Sequence, residues 1–332
     1  MKRVKPATAW ARAIGRSLES ITRSNLRAGA RAARFGLDTQ RERSKPPPGE
    51  GDWIPGIAMS AAGARRYRLY RPPAMQSGER LPLMVMLHGC GQDAKGFAQS
   101  TRMNRVAARE RFLVLYPEQD RLANAQGCWN WFDARGGRAA AEAQLIMKAI
   151  EQVCLLYAVD RARIAVAGLS AGASMAALLV TRHPDRFRAL VMHSGVPPGS
   201  ADSATTALAA MRGRRVAAAL PTTTAAASWP PLLVIHGGRD RTVAPGNAHA
   251  AVRVWAEAAG AAAEPARSMK RGKRHPMQVT QFRAAGSAVA TLVEVPELAH
   301  AWSGGAARHP YGDALGPDAS RMAWSFASMQ FR

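Results

Sequence analysis

From about Tyr67 onward, short unbroken apolar runs alternate with stretches of helical periodicity. Residues 67–70, 83–88, 112–116, 164–167, 189–193, 232–236 and 290–295 read as strands. Several of these runs are apolar at every position, the pattern of a strand covered on both faces. Between them, residues 139–157 place Leu145, Met147, Ile150 and Val153 near helical spacing, and residues 171–182 form a second helical segment. This alternation predicts an α/β fold: a doubly wound, mostly parallel sheet with helices on both faces.

The first fifty residues read differently. Nine basic side chains (Lys2, Arg3, Lys5, Arg12, Arg16, Arg23, Arg27, Arg31 and Arg34) stand against Glu19 and Asp38 within residues 1–39. Trp10, Ile14, Leu18 and Ile21 fall on one helical stripe, which suits either a surface-seeking amphipathic helix or a solvated basic tail. The Arg-rich, acid-poor pattern also has something of an organelle transit peptide, whereas the apolar core and cleavage site of a secretory signal peptide are missing. Lys45 to Gly51, with three consecutive prolines, is a linker by composition. The expected organisation is a basic extension and linker over residues 1–50 and a catalytic domain over residues 51–332.

Over 332 residues the net charge is +23, which favours anionic surfaces in general and selects none. No apolar run approaches the roughly 18 residues of a transmembrane helix, so no membrane span is expected. Cys90, Cys128 and Cys154 match no zinc-binding spacing, and no metal or other cofactor is called for.

Candidate chemistry centres on Gly168-Leu169-Ser170-Ala171-Gly172. This GxSxG sequence follows the apolar run 164–167 and opens an Ala/Met/Leu-rich helix, the setting of a nucleophile elbow. The flanking glycines are expected where neighbouring backbone comes too close for a Cβ. A serine hydroxyl needs a base and a group that orients the base. Asp240, in the loop after strand 232–236, is better placed than Asp185 or Asp202. His300 follows strand 290–295 and a short loop. It is a better base than His249, in an Ala-rich helical run, or His275, in a basic stretch. Oxyanion donors are expected from the amide of Ala171 and from that of Cys90, in the loop Leu87-His88-Gly89-Cys90-Gly91-Gln92. His88 is expected to brace this loop. Trp129, Trp131 and Trp302 are candidate substrate-binding aromatics, with Phe132 beside them.

Five segments together resemble the poly(3-hydroxybutyrate) depolymerase family and related feruloyl and acetylxylan esterases within the α/β-hydrolases. They are Leu87-His88-Gly89-Cys90, Cys128-Trp129-Asn130-Trp131-Phe132, Gly168-Leu169-Ser170-Ala171-Gly172, His236-Gly237-Gly238-Arg239-Asp240 and His300-Ala301-Trp302-Ser303-Gly304-Gly305. The likeness runs from about Arg65 to Arg332. It implies a serine carboxylic-ester hydrolase with Ser170, Asp240 and His300 as its triad, a poly(3-hydroxybutyrate) or hydroxyalkanoate depolymerase acting on short hydroxyalkanoate esters or their polymer through an acyl-enzyme intermediate. A feruloyl, acetylxylan or short-chain esterase, or an acyltransferase on the same scaffold, is the alternative. The resemblance suggests a Cys90–Cys128 bridge, which a reducing cytoplasm would disfavour. Ala299 departs from the family, which commonly has glycine before the histidine. The chain looks like the intracellular branch, so a cytoplasmic location with polymer-granule contact through residues 1–39 is expected. A specific nucleic-acid partner is not expected, because no such signature accompanies the charge.

Overall fold

In the computed structural model, the described residues are 47, 50–215 and 229–331. Residues 1–46 lie outside them, and so do the extension's predicted helix and most of the linker.

The chain from Pro47 onward packs as one unit around an eleven-stranded sheet. Its strands are β1 (Asp52–Ser60), β2 (Gly63–Arg71), β3 (Leu81–Leu87), β4 (Leu113–Pro117), β5 (Val159–Leu169), β6 (Ala189–His193), β7 (Leu232–Gly237), β8 (Ala262–Ala263), β9 (Arg267–Met269), β10 (Met277–Ala284) and β11 (Ser287–Val295). Two short strands, β12 (Trp302–Ser303) and β13 (Gly312–Asp313), form a separate pair. The helices are α1 (Ala94–Thr101), α2 (Met103–Glu110), α3 (Arg138–Leu156), α4 (Ala171–Arg182), α5 (Ala204–Met211), α6 (Gly246–Ala259) and α7 (Ala319–Met329).

The sheet order is β1-β2-β4-β3-β5-β6-β7-β11-β10-β8, with β9 also paired to β10. The six strands from β4 to β11 run parallel, and antiparallel strands close both edges. All seven strands read from the apolar pattern are present. β3, LPLMVML, is buried along its whole length because its two faces feed different cores. Leu83, Val85 and Leu87 pack with Ile146 and Ile150 of α3, Met175 and Leu179 of α4, and Val252 of α6. Met84 and Met86 turn the other way, to Phe97 of α1, Val106 of α2 and Phe326 of α7. That alternation, repeated in β5, produces helices on both faces of the sheet.

The topology fixes where a site can form. Between β3 and β5 the chain reverses its direction of travel across the sheet, and the loops beyond the carboxyl ends of such strands open a crevice. The Gly89–Gln92 loop follows β3, Ser170 follows β5, Asp240 follows β7 and His300 follows β11.

Candidate active site

Ser170 occupies the one-residue corner between β5 and α4, with φ +55° and ψ −121°. A non-glycine residue held at positive φ is strained, and such corners recur where a nucleophile is pushed clear of the sheet. The flanking glycines are sterically required. A Cβ on Gly172 would lie 2.1 Å from the carbonyl oxygen of Leu87, and one on Gly168 would lie 2.4 Å from the backbone of Gly172. The Ser170 amide donates to His193 O at 2.9 Å, which ties the corner to β6.

Asp240 is held from both sides. Its Oδ1 accepts from the amides of Thr242 (2.9 Å) and Val243 (2.8 Å). Its Oδ2 accepts from Nδ1–H of His300 at 2.7 Å and lies 3.4 Å from Nε2 of His236. Burial pushes this carboxyl up, but the hydrogen bonds from His236 and His300 and the positive charge of His300 outweigh it, so Asp240 sits well below the usual carboxylate range. With Nδ1 donating to a carboxylate, Nε2 of His300 is left as the basic nitrogen. Ser170 Oγ and His300 share no hydrogen bond among the described residues. Catalytic hydrogen bonds in unliganded sites are often long and tighten when substrate binds. Ala299 is not among the residues with positive φ, so its Cβ is accommodated before His300.

The Cys90 amide finds no acceptor among the described residues, and Ala171 opens α4, where the first amides of a helix have no partner within it. Cys90 is joined to Cys128 by a disulfide, and the Gly91 amide donates to Gln126 O at 2.9 Å. The bridge is the one that the resemblance implied, and among the described residues no helix is long and apolar enough to cross a membrane. His88 braces the loop as expected: its Nδ1–H donates to Gly89 O at 2.9 Å, and its Nε2 accepts from the Gln119 amide at 3.1 Å. Burial lowers its imidazole to about 4, so it stays neutral.

Two of the three tryptophans assigned to substrate do something else. Trp129 is fully buried, donates through Nε1 to His88 O at 2.9 Å, and lies under the Arg65 guanidinium. Trp302 is equally buried; it stacks on His193 and donates to Ser320 Oγ at 3.0 Å. Both clamp site loops onto the core and offer no surface to a ligand. Trp131 is only partly buried and packs edge-on against Phe132.

Sequence reasoning missed a buried polar network behind the oxyanion loop. Glu142 on α3 accepts from the Asn130 amide (2.8 Å), Asn130 Nδ2 (2.7 Å) and Gln119 Nε2 (2.6 Å). Arg65 on β2 donates to Gln119 Oε1 and to Glu118 O. His193 and His236 were missed as well. His193 Nε2 accepts from the Ser303 amide at 3.0 Å and so anchors the loop that carries His300. His236 and Asn130 stand inside quoted motifs and could have been found there; an acid on a helix face, as Glu142 is, gave no local signal.

The sheet and the loops at its carboxyl edge define an α/β-hydrolase fold. The chain belongs to the esterase PHB depolymerase family, whose model matches residues 65–272. It is 31% identical over 175 residues to a poly(3-hydroxyalkanoate) depolymerase C of Paucimonas lemoignei, covering 50% of this chain and 42% of that one. Against a poly(3-hydroxybutyrate) depolymerase of Ralstonia pickettii it is 28% identical, covering 39% of this chain and 28% of that one. The chain thus spans less than half the length of these depolymerases. An acetylxylan esterase A of Emericella nidulans is 24% identical and covers 65% of this chain and 74% of its own. In fold it is similar to an acetyl xylan esterase from Aspergillus awamori, with TM-score 0.59, 19% identity, and 75% and 94% of the two chains covered.

Proposed function

We propose that the protein is a serine carboxylic-ester hydrolase. The observation that carries this reading is the His300–Asp240 hydrogen bond, brought by two separate loops to the sheet edge where Ser170 sits at a strained corner. Ser170 Oγ attacks the ester carbonyl carbon while His300 Nε2 takes its proton. Asp240 holds the imidazole in the required tautomer and stabilises its charge. The tetrahedral oxyanion is received by the amides of Cys90 and Ala171. His300 then protonates the departing alcohol, and a water activated at the same nitrogen releases the acid from Ser170. Of the three tryptophans, the half-buried Trp131 is the one assigned to contact the acyl group.

The substrate class proposed is a hydroxyalkanoate polyester or its oligomers, in line with the depolymerase relatives. The fuller coverage of the acetylxylan esterase favours a second reading, a small ester on a carbohydrate. Granule docking through residues 1–39 extends the first reading and rests on sequence pattern alone. Ser170→Ala is expected to lose several orders of magnitude in turnover of p-nitrophenyl butyrate; a folded variant working at the parental rate would remove the proposal. A panel of amorphous polyhydroxybutyrate, soluble oligomers, acetylated xylan and methyl ferulate decides between the substrates.

A further inference from the structure

Between the sheet and α7, over the middle of β7 and β11, a cavity of about 340 Å³ opens. Ser170, Asp240 and His300 are not among its lining residues. Leu233, Met277 and Val293 form a buried floor, walled by Val279, Met322 and Phe326. Thr291 is the polar exception on the strands, nine-tenths buried, with its hydroxyl making no hydrogen bond among the described residues.

The rim is charged and one-sided. Arg271, Arg274 and Arg321 line it, with Asp318 as the only lining acid. Asp318 lies 3.9 Å from Arg321 and offsets one charge. Arg274 is fixed in place, donating through Nη1 to Gly316 O at 2.5 Å. The neighbouring His275 lies 3.7 Å from Asp313, so that acid is directed at the histidine. Arg271 is exposed, and its guanidinium has no partner among the described residues. An apolar cleft with guanidinium groups at its mouth matches a ligand that is anionic at one end and apolar along the rest.

We propose that this cavity binds a single amphiphilic carboxylate, its head on Arg274, Arg321 and Arg271 and its alkyl tail along the floor. Arginine presents a planar fork that suits a carboxylate, and a partly desolvated site strengthens the pairing. Size sets the tail: at the roughly 30 Å³ a water molecule occupies, the cavity holds a chain of about ten heavy atoms. Met269, Met277, Met322 and Met329 all line it, and flexible thioethers mould to tails of varied shape. The inference is independent of the ester-hydrolase reading.

The four methionines also provide the readout. Full-length protein carrying ¹³C-methyl methionine is titrated with decanoate, decanol and acetate, the methyl signals being assigned by Met→Leu substitution. Decanoate is expected to shift these four signals at saturating concentration, with decanol and acetate each weaker by at least about tenfold because one lacks the charge and the other the tail. Arg271→Glu with Arg321→Glu changes two exposed side chains and is expected to weaken decanoate by a similar factor. Val279→Trp, which fills one wall, should block it. Shifts confined to other methionines, decanoate affinity unchanged in the double variant, or decanol binding as well as decanoate would each overturn the proposal.

Discussion

Asp240 is shared by two histidines, and the two are not equivalent. His300 donates its Nδ1–H at 2.7 Å, whereas His236 Nε2 lies 3.4 Å from the carboxylate and 2.9 Å from Val243 O, its Nδ1 buried without a partner. Asp240→Asn is expected to keep the fold and lose roughly 10³–10⁴-fold in kcat, because an amide can hold the wrong imidazole tautomer. A loss below tenfold in steady-state assays would speak against this role. The tryptophans divide in the same way. Trp302→Phe removes the hydrogen bond to Ser320 and is expected to cost about 1–3 kcal/mol of stability with KM nearly unchanged. Trp131→Ala is expected to raise KM with little change in melting temperature. Legibility at this scale followed chemistry: the proposed nucleophile, acid and base stand in short motifs at strand ends. Burial was illegible. A tryptophan beside the proposed catalytic histidine reads the same whether it faces a ligand or, like Trp302, a histidine ring and a helix.

Among elements, the uninterrupted apolar strands were the easiest to read, and the edges the hardest. β1 escaped because Pro55 and Gly56 interrupt it and its burial does not alternate cleanly; it pairs only with β2, where a proline is tolerated. α1 and α2 are eight residues each, little more than two turns and shorter than the window of about 11–18 residues over which helical periodicity shows. The oxyanion loop depends on elements distant in sequence, since Cys128, Glu142 on α3 and Arg65 on β2 all hold it. Removing the Cys90–Cys128 bridge, which spans 38 residues, is expected to cost about 4 kcal/mol on the chain-entropy model. Cys90→Ser with Cys128→Ser should therefore unfold at lower urea and lower kcat more than it raises KM, because the amide proposed to receive the oxyanion loses its anchor. Unaltered kcat in a folded double variant would mean that the buried network alone positions the loop.

For the molecule as a whole, two deeply buried neutral histidines set a dependence on pH. Burial lowers His88 to about 4 and His193 to about 3. The unfolded chain would protonate both near pH 6.5. Their stabilising contribution is thus full above that pH and is lost as pH falls toward 4 and 3. Asp240, held low, adds a loss in the same direction once pH drops below the ordinary aspartate range. Urea titrations are expected to show stability falling by up to about 1.4 kcal/mol per pH unit for each histidine between pH 6 and 5, with His193→Gln roughly halving the slope. A flat profile would mean that neither imidazole is buried neutral. Residues 1–39 carry seven of the net +23 charges and lie outside the described residues. Deleting residues 1–46 is expected to leave p-nitrophenyl butyrate turnover intact while reducing co-sedimentation with polymer granules.

The proposed mechanism places the acyl group on one serine, made nucleophilic by His300 and Asp240. Reaction of the protein with a fluorophosphonate, with the adduct mapped by peptide mass spectrometry, reads out that serine. One phosphonyl group on Ser170 is expected, formed in parallel with loss of esterase turnover and greatly slowed in His300→Ala. An adduct on another residue, or inactivation that leaves Ser170 unmodified, would contradict it.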